Sequence, residues 1–167
     1  GNIRVFCRVR PINRHNGESV DAAETGAGKD HSEPLLRVAR AGESAGRALA
    51  VAPPGKKEKP TRFAFDRVFG GDAGQAEVFE DIAHLVQSAL DGYKVCIFAY
   101  GQTGSGKTHT MFGPAGVADD FVRSDPAEHG IVPRACRQLF EGAAARRTAE
   151  VSYVVQLSFI EVYADKV

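Results

Sequence analysis

The period at which apolar side chains recur changes several times along this chain, and each change marks an element. Ile3 to Pro11 is dense in β-branched and aromatic residues and stops at Pro11, which has no amide hydrogen to continue a ladder. It predicts a strand. From Asn13 to Pro60 the texture turns to Gly, Ala, Glu, Lys and Pro, a polar excursion in which only Leu35–Val38 and Ala48–Val51 suit short strands, as in a small surface hairpin. Pro53 to Pro60 reads as a loop tip with solvated lysines. Arg62 to Phe69 puts Phe63, Phe65 and Phe69 ahead of a Gly70-Gly71 break and reads as core. Val78, Phe79, Ile82, Leu85, Val86 and Leu90 then recur at three- and four-residue steps, so residues 75–90 predict a helix with one apolar face, closed by Asp91-Gly92.

Val95 to Tyr100 is apolar without alternation, the pattern of a strand buried on both faces of a mainly parallel sheet. After a glycine-rich segment, residues 113–130 form another polar surface loop carrying Asp119, Asp120, Asp125 and Glu128. Pro133 opens a second amphipathic helix with Val132, Cys136, Leu139 and Phe140 on one face. Val151, Tyr153, Val155, Leu157, Phe159 and Tyr163 share a face at a two-residue period, which predicts a long closing strand. Strands alternating with helices indicate an α/β fold, a layered sheet flanked by helices.

Composition narrows the function classes. The 167 residues hold 43% hydrophobic positions, enough for one core. With 21 Lys plus Arg against 21 Asp plus Glu, the net charge of +0 argues against a polybasic nucleic-acid partner or membrane surface. No apolar run reaches the roughly 20 residues of a membrane span, and the opening residues lack a signal layout, so a soluble intracellular protein is expected. Cys7, Cys96 and Cys136 are far apart and form no CxxC pair; they are expected to be reduced and mostly buried. Gly rather than Met at position 1 suggests a piece of a longer chain.

The segment Gly101-Gln102-Thr103-Gly104-Ser105-Gly106-Lys107-Thr108 satisfies the phosphate-loop pattern G-x-x-x-x-G-K-[ST] in full. Chance alone would produce the bare pattern in a chain of this length on the order of one time in a hundred. Its setting, after an apolar strand and before a helix-compatible Lys107 to Phe112, is the one the chemistry requires. Gly101, Gly104 and Gly106 let the backbone turn its N–H groups onto an anion, Lys107 adds a full charge for the β- and γ-phosphates, and the Thr108 hydroxyl is a hard ligand for Mg²⁺. The residues imply binding of a nucleoside triphosphate with magnesium.

Gly92 through Met111 resembles the signature of the kinesin motor domain. Asn2 to Pro11 is similar to that family's first strand with its R-x-R-P element, and Phe65 to Phe69 to its F-D-x-V-F element. Gly130 to Ala135 resembles its G-I-I-P-R segment, and Phe159 to Tyr163 its E-I-Y strand. These matches run in family order through residues 1–167, and the opening resembles most the class whose motor is C-terminal and usually walks toward microtubule minus ends. The resemblance implies a phosphate-loop NTPase fold of kinesin type, ATP and Mg²⁺ as ligands, and microtubules (tubulin) as partner in the cytoplasmic cytoskeleton, with oligomerisation through a stalk. It also implies that Arg8, Arg10 and Pro11 lie at the adenine and that His109 stacks on its other face. Taken without the resemblance, Arg8 and Arg10 are two charges at a strand end and His109 a polar helix residue facing water.

The family's N-x-x-S-S-R and D-x-x-G switch elements, which sense the γ-phosphate and position water, do not occur in these 167 residues, and Glu161 reads as a strand residue. The sheet is therefore expected to be incomplete at its C-terminal side, a partial motor domain with no catalytic residue of its own. Two functions remain in view: the ATP-binding part of a microtubule motor, or a nucleotide-binding fragment without motor activity.

Overall fold

A computed structural model describes residues 3–11, 36–39, 45–52, 59–117, 120 and 122–161. Among them are five strands: β1 (Phe6–Arg8), β2 (Leu36–Val38), β3 (Ala48–Val51), β4 (Thr61–Ala64) and β5 (Arg67–Phe69). The helices are α1 (Gln75–Glu80), α2 (Ala83–Leu90), α3 (Lys107–Met111) and α4 (Ile131–Ala145), with a 3₁₀ turn at Pro126–Glu128. No helix of the described residues is long and apolar enough to cross a membrane. Most of the polar stretch 13–60, the loop tip 53–58, and the predicted strand residues Leu35, Val162 and Tyr163 lie outside the described residues.

β1 and β5 pair in parallel with Cys7 opposite Val68, and the ladder continues on both sides through Asp66 N–H to Val5 O (3.0 Å) and Val9 N–H to Phe69 O (2.9 Å). β2, β3 and β4 form a separate antiparallel meander, with Leu49 opposite both Val38 and Phe63. The Arg62 to Phe69 run is therefore divided between two sheets. Phe69 is 2% exposed while Phe63 is 47% exposed, so only part of that run is core.

Phe69, Val78, Ile82 and Ile131 make the buried cluster, with Phe6, Phe79, Leu85, Ile97 and Met111 packed around it. Each such apolar side chain contributes about 1.5–3 kcal/mol on leaving water. Phe6 meets Phe69 edge to face at 6.2 Å between ring centroids. The predicted single helix over residues 75–90 is two, α1 and α2, separated at Asp81-Ile82. The break lets Asp81 Oδ2 stand 3.0 Å from Arg67 Nε, and Arg67 in turn lies 5.5 Å above the Phe69 ring.

α4 begins at Ile131, before Pro133, which falls in the first turn where no intrahelical amide donor is needed. It lies beside α2 and runs the same way, pinned by Gln138 Nε2–H to Ala83 O (3.0 Å) near its middle and by Arg146 Nη2–H to Asp91 Oδ1 (2.7 Å) at its end. Its inner stripe is Ile131, Ala135, Gln138, Leu139 and Gly142, not the predicted one: Cys136 and Phe140 are exposed.

Two predicted strands are not strands among the described residues. Val95 to Tyr100 has no ladder partner; Ile97 and Ala99 are half-buried, whereas Phe98 and Tyr100 are 78% and 95% exposed. One face touches the core and the other is open. Residues 151–161 likewise carry no ladder, and Leu157, Phe159 and Ile160 are all exposed, while Tyr153 and Val155 share an open cleft with Phe140 of α4. An apolar pattern marks a segment that can be buried in a sheet, but the strand exists only when a neighbour supplies donors and acceptors. The cysteines depart from expectation in the same way. All three are free thiols, but Cys96 and Cys136 are exposed and only Cys7 is partly covered, where burial pushes its thiol pKa up.

Candidate nucleotide site

Three separate stretches of chain converge beside the parallel pair. The end of β1 supplies Arg8, Val9, Arg10 and Pro11; the turn from β5 into α1 supplies Gly71, Gly74 and Gln75; the glycine loop and α3 supply Gly104 to Thr110. Together they line an open cavity of about 620 Å³. Of the residues singled out from sequence, Arg8, Arg10, Pro11, Gly104, Ser105, Gly106, Lys107, Thr108 and His109 line it; Gly101, Gln102 and Thr103 do not. Gly101 and Gln102 face the loop's interior through their carbonyls.

The loop is shaped by two left-handed glycines, Gly104 at φ 77° and Gly106 at φ 99°, conformations that a Cβ would oppose. Gly101, at φ 159°, is nearly extended; there a Cβ would stand 2.5 Å from Ser105 Oγ. Lys107 folds back across the loop, its ammonium donating to Gly101 O and Gln102 O at 2.9 Å each. Arg10 Nη1–H donates to Gly104 O, joining the end of β1 to the loop.

Arg8 is half-buried, and burial lowers its pKa, although a guanidinium stays charged throughout the physiological range. It donates from Nη1 to Gln75 Oε1 (2.8 Å) and Thr110 Oγ1 (3.0 Å), and from Nη2 to Ala73 O (3.3 Å). Gln75 passes the chain on, donating from Nε2 to His109 O (2.8 Å). The His109 ring stands partly covered, and burial first, then the Arg8 and Arg10 charges, hold its pKa below the ordinary range. It is neutral at pH 7. Thr108 is exposed on the first turn of α3.

Gln75 carried no assignment from sequence beyond opening a helix. Its signal was present: it stands three and four residues before Val78 and Phe79, which places a polar amide on the apolar face of α1. It is 8% exposed.

The loop 113–130 is anchored to the same site. Gly130 N–H donates to Phe112 O (3.1 Å), and Arg134 reaches back from α4 to the carbonyls of Pro126, Ala127 and His129. Val117 and His129 are buried at 4% and 3% exposure.

An α/β fold in which G-x-x-x-x-G-K-T turns into a helix beside a parallel strand pair is that of the phosphate-loop NTPases. The family model for the kinesin motor domain matches residues 8–167, and the chain belongs to that family. It is similar to the kinesin-like protein KIFC1 of Homo sapiens, 46% identical over 174 residues, with all of this chain and 24% of that protein covered. It is also similar to the kinesin-like protein KIN-14D of Arabidopsis thaliana, 42% identical over 167 residues, again with all of this chain but 18% of the relative. Among solved structures, the C-terminal motor domain of Kar3 from Candida glabrata is 32% identical and superposes with a TM-score of 0.60, covering 86% of this chain and 40% of the other. The chain thus spans about a fifth of the length of these curated relatives.

Proposed function

We propose that this chain is the ATP-binding part of a microtubule-based motor, one that couples ATP hydrolysis to movement along microtubules of the cytoskeleton. The observation that carries the proposal is convergence: Arg8, Arg10 and Pro11 line one cavity with residues 104–109, although nearly a hundred residues of sequence separate them. The Kar3 likeness supports the C-terminal-motor class.

In this reading the glycine loop cradles the phosphates with its N–H groups and Lys107 exchanges its two carbonyls for phosphate oxygens. Thr108, exposed at the head of α3, would offer its hydroxyl to Mg²⁺, which would supply charge neutralisation for the phosphates. Pro11 and the neutral ring of His109 offer flat surfaces to either face of the base, while Arg8 and Arg10 edge it. No paired donor and acceptor for one base is supplied by these groups, so modest base selectivity is expected. Hydrolysis further requires γ-phosphate sensing and water positioning, and the 167 residues carry neither N-x-x-S-S-R nor D-x-x-G. Those tasks fall to residues outside them.

Steady-state phosphate release from the full-length protein, with and without polymerised tubulin, tests the proposal. Stimulation by microtubules is expected in the full-length protein and none in residues 1–167 alone. A full-length protein that releases no phosphate in either condition refutes the motor reading; stimulated release by residues 1–167 refutes the division of labour.

A further inference from the structure

We infer that Gln75 is a positioning residue for the base-binding half of this site, setting nucleotide affinity through Arg8 and His109. The inference rests on the nucleotide reading above and adds to it a residue and a route.

Gln75 is 8% exposed, and its side-chain amide lies between three segments that the chain order keeps apart. Its oxygen accepts from Arg8 Nη1 at 2.8 Å, and its nitrogen donates to His109 O at 2.8 Å and, less closely, to Glu128 O at 3.4 Å. The chemistry of the partners leaves one orientation for the amide. A guanidinium can only donate and a main-chain carbonyl can only accept, so oxygen must face Arg8 and nitrogen must face the carbonyls. The result is a directed relay, from Arg8 through Gln75 to the backbone of α3. Arg8 and His109 are the two groups on either side of it that line the cavity, and both are set by the same amide.

The relay has few substitutes. If Gln75 is lost, the aim of the guanidinium depends on Thr110 Oγ1, which belongs to α3 itself, and on the longer bond from Nη2 to Ala73 O (3.3 Å). His109 O keeps Gly113 N–H at 2.9 Å, a bond within the same turn that cannot fix α3 relative to β1. Gln75 is the only described side chain that bonds to both β1 and α3 through separate atoms. The phosphate loop is held differently, by Lys107 on Gly101 O and Gln102 O and from the base side by Arg10 on Gly104 O, bonds in which Gln75 takes no part. Removing the amide should therefore disturb the base end and spare the phosphate end.

Two ligands read those ends apart in the full-length protein: Mg·ATP, and magnesium tripolyphosphate, which has the phosphates and no base. Gln75→Met keeps the length and removes both hydrogen-bonding functions. Gln75→Glu keeps the acceptor for Arg8 and removes the donor to His109 O. We expect Gln75→Met to weaken ATP roughly five- to twentyfold, as loss of one or two ordinary hydrogen bonds implies, and to leave tripolyphosphate within twofold. Gln75→Glu should weaken ATP by a smaller factor, again with tripolyphosphate unchanged. Equal weakening of both ligands in both variants, or unchanged ATP affinity in both, overturns the inference. A wild-type protein that binds tripolyphosphate but shows no gain for ATP overturns it through the base assignment; one that binds neither ligand overturns the nucleotide reading itself.

Discussion

Lys107→Ala is the sharpest test of the phosphate end, because the geometry fixes both what the ammonium gains and what it leaves. Unlike charges about 4 Å apart attract by about 4 kcal/mol at an effective dielectric near 20, the value suited to a half-buried group. Lys107 does not come to a ligand from bulk water; it comes from two carbonyl bonds of 2.9 Å, on Gly101 and Gln102. Surrendering these at about 0.5–1.5 kcal/mol apiece cancels roughly 1–3 kcal/mol of the attraction. One phosphate charge would leave about 1–3 kcal/mol, and the β- and γ-phosphates present more than one. The alanine variant should therefore lose about 2–4 kcal/mol of binding, ~30- to ~700-fold in Kd. Calorimetric titration of Mg·ATP into the full-length protein measures it, with Lys107→Arg as the variant that keeps the charge and loses less. A folded Lys107→Ala protein whose Kd moves by less than about threefold would refute the reasoning, since no loop of this shape could then be using its lysine.

Three further outcomes follow from the described contacts. His109→Ala should weaken ATP and GTP by similar factors, on the order of 0.5–1.5 kcal/mol, in parallel titrations, and a loss confined to ATP would show that the ring reads the base by hydrogen bonding. Burial, with Arg137 and Arg134 nearby, holds the His129 pKa below its ordinary value, so the folded chain favours the neutral ring while the unfolded chain takes up a proton near pH 6.5. That contribution is complete above pH 6.5 and is lost as pH falls through the lower folded value; urea midpoints should decline from pH 7 to pH 5, less so in His129→Asn, and equal slopes would count against it. Gly130→Ala would put a Cβ 2.6 Å from the backbone of Met111 and Phe112, so it should cost about 1–3 kcal/mol in a urea titration, with an unchanged midpoint as the contrary result.

What could be read from the chain beforehand depended on whether the information was local. The glycine loop is eight contiguous residues, and its left-handed turns at Gly104 and Gly106 were legible, whereas Gly101 is nearly extended and Gly101 to Thr103 lie off the cavity. The apolar faces of α1 and α2 were equally plain, but their separation at Asp81 was not, because the pull of Arg67 on that carboxylate comes from another strand. For α4 the periodicity was right and the face wrong. Gly130 lies against Met111 and Phe112, and this tight approach turns Ile131 inward and leaves Phe140 outside. Residues 95–100 and 151–161 show the limit most clearly: their side chains spell strands, yet pairing is a property of two segments and no composition of one can supply the other. Gln75 was legible in principle, as a polar residue on an apolar stripe.

The glycine loop is held unequally on its two sides. Downstream it continues into α3, which Gln75 and the 113–130 loop clasp; upstream it hangs from residues 94–100, whose backbone makes no hydrogen bond to another described residue. Such a cradle has one fixed rim and one soft rim. Anion binding must restrict the soft rim as it forms contacts, and each residue so ordered costs about 1–2 kcal/mol of backbone entropy. A neighbouring strand that paired with Val95 to Tyr100 would make that restriction in advance, and it would tighten phosphate binding without contributing a single atom to the site. Sheet completion and ligand affinity are then two readings of one quantity, the entropy of six residues ahead of Gly101.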